Sequence, residues 1–194
     1  MLQVAGCPVL VRFPGKGLVI DVRRWELPDD LPLVERSVVR LVVLDTADQV
    51  LLFHTRDPTY PDLGDWWELP GGGIEAGETY LETAIRELHE ETGIDAEREQ
   101  VGAPTWRRHA SFRYRGERRL QHEAIVTVHL AAAAPSVSAA LRVGYENEDY
   151  FDYRWWPVAE ITESVERFYP SRLPELVLAH LDGQHIDEPY EVWS

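Results

Sequence analysis

An α/β fold is predicted for this chain from three features of its sequence. Apolar runs of strand length recur along it, such as Val38 to Leu44 and Val50 to His54. One long segment has helical periodicity, with Leu81, Ala84, Ile85 and Leu88 at i, i+3, i+4 and i+7. Two shorter helical segments follow near the C-terminus. Strands interspersed with helices indicate layers of helix on sheet. At 194 residues the chain can bury one sizeable core without a second full domain. The expected division is an N-terminal extension over 1–35, a main domain over 36–183 and a tail over 184–194.

In order, Val9 to Arg12 and Leu18 to Val22 flank Pro14-Gly15-Lys16-Gly17 as a hairpin, and Pro28 to Pro32 reads as a linker. Val38 to Leu44 and Val50 to His54 are strands about a turn at Asp45 to Asp48. The loop from Arg56 to Asp65, with Pro58, Pro61 and Gly64, leads to a short strand at Trp66 to Leu69 and the run Gly71-Gly72-Gly73. Thr79 and Glu82 form a capping box, which starts the long helix at Tyr80. Gly93 supplies a left-handed stop, so the helix ends near Thr92. Trp106 to Tyr114 and Leu120 to Leu130 are antiparallel strands around Gly116. Ala131 to Ala140 has no period. Tyr153 to Trp156 is a strand, and Val158 to Ser164 a short helix. Leu173 to Leu181 is a helix begun by Ser171 before Pro174, and the last ten residues read as irregular.

The long helix carries Glu87, Glu90 and Glu91 at i, i+3 and i+4 in its last turns. Like charges at these spacings cost roughly 0.2–0.5 kcal/mol each. The negative end of the helix dipole adds about 0.3–1 kcal/mol per carboxylate. A helix selected for stability alone would place Lys or Arg there. The cluster fits either a solvated acidic end or an oxygen-rich site for a hard divalent cation.

Residues 72–94 resemble the Nudix box: a glycine, five residues, a glutamate, seven residues, then R-E-U-x-E-E-x-G-U with U aliphatic. Gly72, Glu78, Arg86, Glu87, Leu88, Glu90, Glu91, Gly93 and Ile94 fill every fixed position. The resemblance implies an α/β/α sandwich around a mixed sheet and a hydrolase of the nucleoside diphosphate–X class, with Mg²⁺ or Mn²⁺ as cofactor. It also implies Glu87 and Glu91 as metal ligands, Glu90 assisting and the Gly71 carbonyl as a backbone ligand. Arg86 is expected to pair with Glu78 and hold the loop against the helix, where Gly72 permits the turn.

Composition narrows the partners. Hydrophobic residues at 44% and charged residues at 27% are ordinary for a globular enzyme. A net charge of −15 disfavours long nucleic acids and anionic membranes. The single cysteine, Cys7, excludes an intrachain disulfide and fits a reducing compartment. Val4 to Cys7 superficially resembles a lipoprotein cleavage box. Only six residues precede Cys7 and none is basic, so a cytoplasmic location is expected.

Two features lie outside the box. On Gln121 to Leu130, alternation puts Glu123, Ile125, Thr127 and His129 on one face, with Ala124, Val126, Val128 and Leu130 on the other. The second set faces a core. Glu123 therefore points the opposite way and is expected at the cleft as a further catalytic acid, against Glu146, Glu148 and Asp149 as rivals. Arg107, Arg108, Arg113, Arg115, Arg118 and Arg119 cluster near His109 in a chain with eighteen arginines and one lysine. An arginine fork grips phosphate oxygens. The same cluster also reads as a hairpin tip paired with acidic surface or with a second subunit, as in a homodimer. Base stacking could come from Trp66, Trp67, Phe112 or Tyr114. From these sets, Arg108, Trp67 and Phe112 are the expected substrate contacts. The leading substrate is a nucleoside triphosphate or related nucleotide. ADP-ribose or a nucleotide sugar is the alternative, and a non-catalytic nucleotide sensor of the same fold a further one. No substrate-specific proline stands in its expected place, since Pro104 lies too near the box. An isopentenyl diphosphate isomerase would need a cysteine within the domain.

Overall fold

A computed structural model describes residues 31–142 and 144–194, together with the backbone of β1 (Leu10–Arg12) and β2 (Val19–Asp21). These two strands pair antiparallel, as the expected hairpin requires. Cys7 and the Val4–Cys7 segment lie outside the described residues.

The main sheet is built from β3 (Leu33–Leu44), β4 (Gln49–Thr55), β5 (Trp66–Glu68), β6 (Trp106–Tyr114) and β7 (Glu117–His129). It is completed by β8 (Tyr150–Pro157), β9 (Phe168–Tyr169), β10 (Ile186–Asp187) and β11 (Glu191–Val192). The order is β10-β6-β7-β3-β4-β5-β9, with β11 also on β6 and β8 on β4. β3 and β7 run parallel from Leu33–Arg118 to Leu44–His129, while β6–β7 and β4–β8 are antiparallel, so the sheet is mixed.

Helix α1 (Tyr80–Thr92) covers one face. Its Ala84 and Leu88 pack on Val39, Leu41, Val43, Val126 and Val128. On the other face α3 (Val158–Glu163) and α4 (Leu173–Leu181) bring Ile161, Leu173 and Val177 onto Val42, Ile125 and Trp106. The result is the expected α/β/α sandwich. No helix among the described residues is long and apolar enough to cross a membrane.

One local departure creates the site. β3 and β4 are paired at Leu44–Val50 only, and the chain after β5 enters the gap between them. Leu41 N–H donates to the Pro70 carbonyl at 2.9 Å, Val39 N–H to Gly72 at 3.0 Å, and Ile74 N–H to Ser37 at 3.0 Å. The glycine loop is thereby stitched to β3 beside the end of α1. Gly71 needs its lack of a side chain, since a Cβ there would lie 2.1 Å from the Val39 carbonyl oxygen.

Two expectations are corrected. The final residues are not irregular: β10 and β11 add to the open edge of β6, in parallel. Two-residue strands have no readable period, so only a partner edge defines them. Ser171 does not cap α4; Arg172 holds that position without a side-chain bond, and Ser171 Oγ bonds Glu191 instead. A short helix, α2 (Gly144–Asp149), also forms where the sequence gave no periodic signal.

Candidate active site

The N-terminus of α1 is fixed by the capping box. Thr79 Oγ1 accepts from Glu82 N–H at 3.3 Å, and Glu82 Oε2 accepts from Thr79 N–H at 2.9 Å. Gly93 ends the helix at φ 70°. Between these stops the apolar stripe orients the helix, and its acidic edge meets the glycine loop. Glu91 is buried. Its Oε2 accepts from Gly71 N–H at 2.7 Å and its Oε1 from the Tyr150 hydroxyl at 2.9 Å. Glu87 lies so close to Gly72 that a Cβ there would meet its Oε1 at 2.3 Å. Glu90 is half-exposed.

Arg86 ties this group together. Its Nη1 donates to Glu87 at 2.8 Å and to Glu90 at 3.0 Å. Its Nε and Nη2 donate to Glu78 at 2.8 and 3.0 Å, and Nη2 also to the Gly73 carbonyl at 3.0 Å. These bonds from Arg86 lower the Glu78 pKa to about 2. Burial first, and then the Glu87 charge, pushes Glu91 well above the usual carboxylate range. Burial also raises Glu87, against the pull of Arg86.

Three carboxylates, Glu78, Glu87 and Glu90, thus share one guanidinium, while Glu91 is held by Gly71 and Tyr150. Among the described residues no three acidic, imidazole or thiol groups close around a single point. The donor chemistry nevertheless fits a hard cation: oxygens alone, two of the carboxylates buried and mutually repelling, and a glycine cradle behind Glu87. A cation taking Glu87 and Glu90 would compete with Arg86 Nη1 for them. Both polar groups of the Gly71 backbone are engaged here. Its N–H faces Glu91, whereas its carbonyl accepts from Arg40 Nη1 at 3.3 Å.

Beside this group lies a cavity where β3, β6 and β7 face β4 and β5. Arg36, Arg40 and Arg119 line one part, and Trp66, Phe112 and Trp193 another. Tyr150 and Glu146 also line it; Tyr150 bonds Glu91, and the Glu146 charge raises Glu91 further. Burial and then the Arg119 and Arg40 charges lower the pKa of Arg36, so the three guanidiniums repel one another. That arrangement attracts anions.

Of the expected substrate contacts, Phe112 alone lines the cavity. Trp67 points to the opposite face of β5, stacked on His54 at 4.3 Å, and Trp66 takes the cavity side. Strand alternation makes one member of such a pair face away. Arg108 is buried beneath the cavity, facing Glu123 at 3.4 Å, Glu188 at 3.8 Å and Glu191. Arg113 and Arg119, from the same cluster, do line the cavity.

Glu123 is not brought to Glu87 and Glu91. The face assignment along β7 holds, but α1 packs on the Val126–Val128 face, and Glu123 lies on the other. It sits fully buried behind the cavity lining. Arg40 Nε lies at 3.6 Å and Arg108 Nη1 at 3.4 Å, and Tyr169 O–H donates to it at 2.6 Å. The Gln121 amide, turned with nitrogen toward Glu123 at 2.7 Å, accepts from Arg36 at 3.0 Å. Burial opposes the Arg40 charge, yet Glu123 and then Glu68 hold its pKa above the ordinary value. Among the rival acids, Glu148 bonds Arg115 at 2.8 Å, and Asp149 is buried against Arg115 and Tyr114. Asp149 and Glu146 both line the cavity, and the Glu146 charge is the one that acts on Glu91. Glu146 lies on α2, whose six residues gave no signal to rank it above its neighbours.

The NUDIX domain model matches residues 34–176. An RNA pyrophosphohydrolase of Roseobacter denitrificans is 30% identical over 149 residues, covering 69% of this chain and 83% of the relative. Another, from Dinoroseobacter shibae, is 28% identical over 150 residues, covering 73% and 89%. In fold, the chain is similar to the E. coli dihydroneopterin triphosphate pyrophosphohydrolase, with TM-score 0.54 and 17% identity over 76% of this chain and 99% of the other. A MutT structure from work on Aliivibrio salmonicida and Vibrio cholerae gives TM-score 0.50 and 19% identity, covering 76% and 99%.

Proposed function

The chain belongs to the NUDIX domain family and is a Nudix pyrophosphohydrolase, and from that premise we propose that it cleaves a diphosphate bond in a nucleoside triphosphate or related nucleotide, with Mg²⁺ or Mn²⁺ as cofactor. The observation that carries the substrate reading is the cavity. It sets three arginines beside an aromatic wall and shares Tyr150 with Glu91. Phosphate oxygens would lie along Arg36, Arg40 and Arg119, and the base against Trp66 and Phe112.

Glu87 and Glu91 would hold the cation, with Glu90 assisting. Gly71 N–H and Tyr150 keep Glu91 in one orientation. A bound cation neutralises phosphate oxygens and makes coordinated water easier to deprotonate. Glu146, which lines the cavity and acts on Glu91, would take the part expected of Glu123 and accept a proton from attacking water. Glu123 acts behind the cavity, holding Arg40 and Tyr169. Arg86 and Glu78 brace the loop. A reducing, cytoplasmic setting suits the single cysteine.

The names of the relatives favour a second reading, a triphosphate at an RNA 5′ end. The net charge of −15 opposes contact with a long phosphate backbone, although a terminal nucleotide alone would still fit the cavity. One panel separates these readings: nucleoside triphosphates, ADP-ribose, nucleotide sugars and a 5′-triphosphorylated RNA oligomer, each with Mg²⁺ and with Mn²⁺, scored by phosphate release. The nucleoside triphosphates should have the highest kcat/KM. A higher value for the oligomer would transfer the assignment to RNA ends. No cleavage anywhere in the panel would leave the nucleotide sensor.

A further inference from the structure

We propose that Trp193, delivered by a strand beyond the matched domain, is the specificity-determining wall of the substrate cavity and selects ligands bearing a planar aromatic base. The proposal rests on the nucleotide reading above and names the residue that sets its preference.

Three observations support it. Trp193 lines the cavity together with Trp66, Phe112 and Tyr169. Its ring stands edge-on to all three, at 4.8 Å and 72° from Trp66, 5.2 Å and 83° from Tyr169, and 6.3 Å and 81° from Phe112. The Arg167 guanidinium lies 4.1 Å over the Trp193 ring. Flat heteroaromatic rings gain on such a wall through stacking and edge contacts beyond the area they bury, more than a sugar or alkyl group does.

The ring is held from its backbone. β11 aligns Glu191 with Ala110 and Val192 with Ser111 on β6. Trp193 N–H donates to the Ser111 carbonyl at 2.9 Å, and Arg113 N–H donates to Ser194 Oγ at 3.1 Å. Glu191 is anchored by Arg108 and Ser171. The buried Arg108 therefore fixes a strand whose next residues form the cavity wall. The domain match ends at residue 176, so this wall lies outside it.

The test compares wild type with Trp193→Ala and Trp193→Phe, reading kcat and KM for GTP and ATP and the Ki of inorganic tripolyphosphate, which has no base. Trp193→Ala should raise KM for GTP and ATP about tenfold, with kcat within about twofold and the tripolyphosphate Ki unchanged. Trp193→Phe should recover most of the loss. Equal shifts for nucleotides and tripolyphosphate, or no shift in either, would overturn the proposal. Should the alanine variant not fold, Trp193→Leu against Trp193→Phe makes the same comparison at similar bulk. A wild type that hydrolyses neither nucleotide refutes the catalytic reading instead. Equilibrium dialysis of labelled GTP then decides the wall: weaker binding by Trp193→Ala keeps it, and equal or absent binding in both proteins removes it.

Discussion

Two clusters of buried charge lie close together in this protein, and they are balanced differently. Along α1, Glu78, Glu87 and Glu90 share the guanidinium of Arg86, and the buried Glu91 bonds Gly71 and Tyr150 instead. Behind the cavity, Arg40 and Arg108 meet Glu123, with Glu188 and Glu191 at the outer edge. In the first cluster burial raises Glu91 and Glu87, so their negative charge is poorly compensated. In the second, Glu123 and its neighbours hold both arginines above their ordinary pKa against burial. The difference separates a site whose poorly compensated charge would suit a cation from one whose charges already serve the fold.

The largest expected effect follows from the uncompensated cluster. Glu91→Gln should lower turnover by roughly 10²–10⁴-fold on any confirmed substrate. The amide can still accept from Gly71 and donate to Tyr150, so the variant should melt no lower than wild type in EDTA. Mg²⁺ at a hundred times its Kd should stabilise wild type by about 2.7 kcal/mol and the variant far less. Normal turnover, or an equal Mg²⁺ shift in both proteins, would erase the distinction between the clusters.

The second cluster predicts the reverse balance. Glu123→Ala removes the carboxylate that Arg40 faces in the interior and leaves Arg108 to Glu188 and Glu191, at a cost of about 3–5 kcal/mol. Urea unfolding would measure it. Unchanged stability with collapsed kcat would mean that Glu123 reaches the chemistry after all.

A smaller effect sharpens the contrast at a buried group without a charged partner. His180 bonds Thr105 at 2.9 Å and Thr127 at 3.0 Å, and burial lowers its pKa to about 4. Between pH 6.5 and 4 the unfolded chain takes up a proton there that the folded protein refuses. Stability should therefore fall as pH drops through this window, by at most about 3 kcal/mol from this group. His180→Gln should flatten that segment of the stability–pH curve. An identical slope in the variant would assign the acid sensitivity elsewhere.

Much of this arrangement was legible residue by residue. The caps at Thr79 and Gly93 set α1, because both act within a few residues of themselves. Alternation along β7 separated Glu123 from Val126 and Val128, because a strand's period is fixed by its backbone. The acidic run on α1 stands out through spacings that a helix penalises. Alternation says that Trp66 and Trp67 face apart, but not which of them faces the cavity.

What only the tertiary structure decided depends on contacts between distant segments. α1 could have covered either face of β7, and its choice of the Val126–Val128 face removed Glu123 from the carboxylate group. Arg108 met Glu188 and Glu191 from a tail about 80 residues away, and the same tail delivered Trp193 to the cavity. Local rules fixed what each segment is, since backbone geometry and capping act over a few residues. Which segments share a wall was decided by packing, because burial depends on area and shape and carries no mark of sequence position.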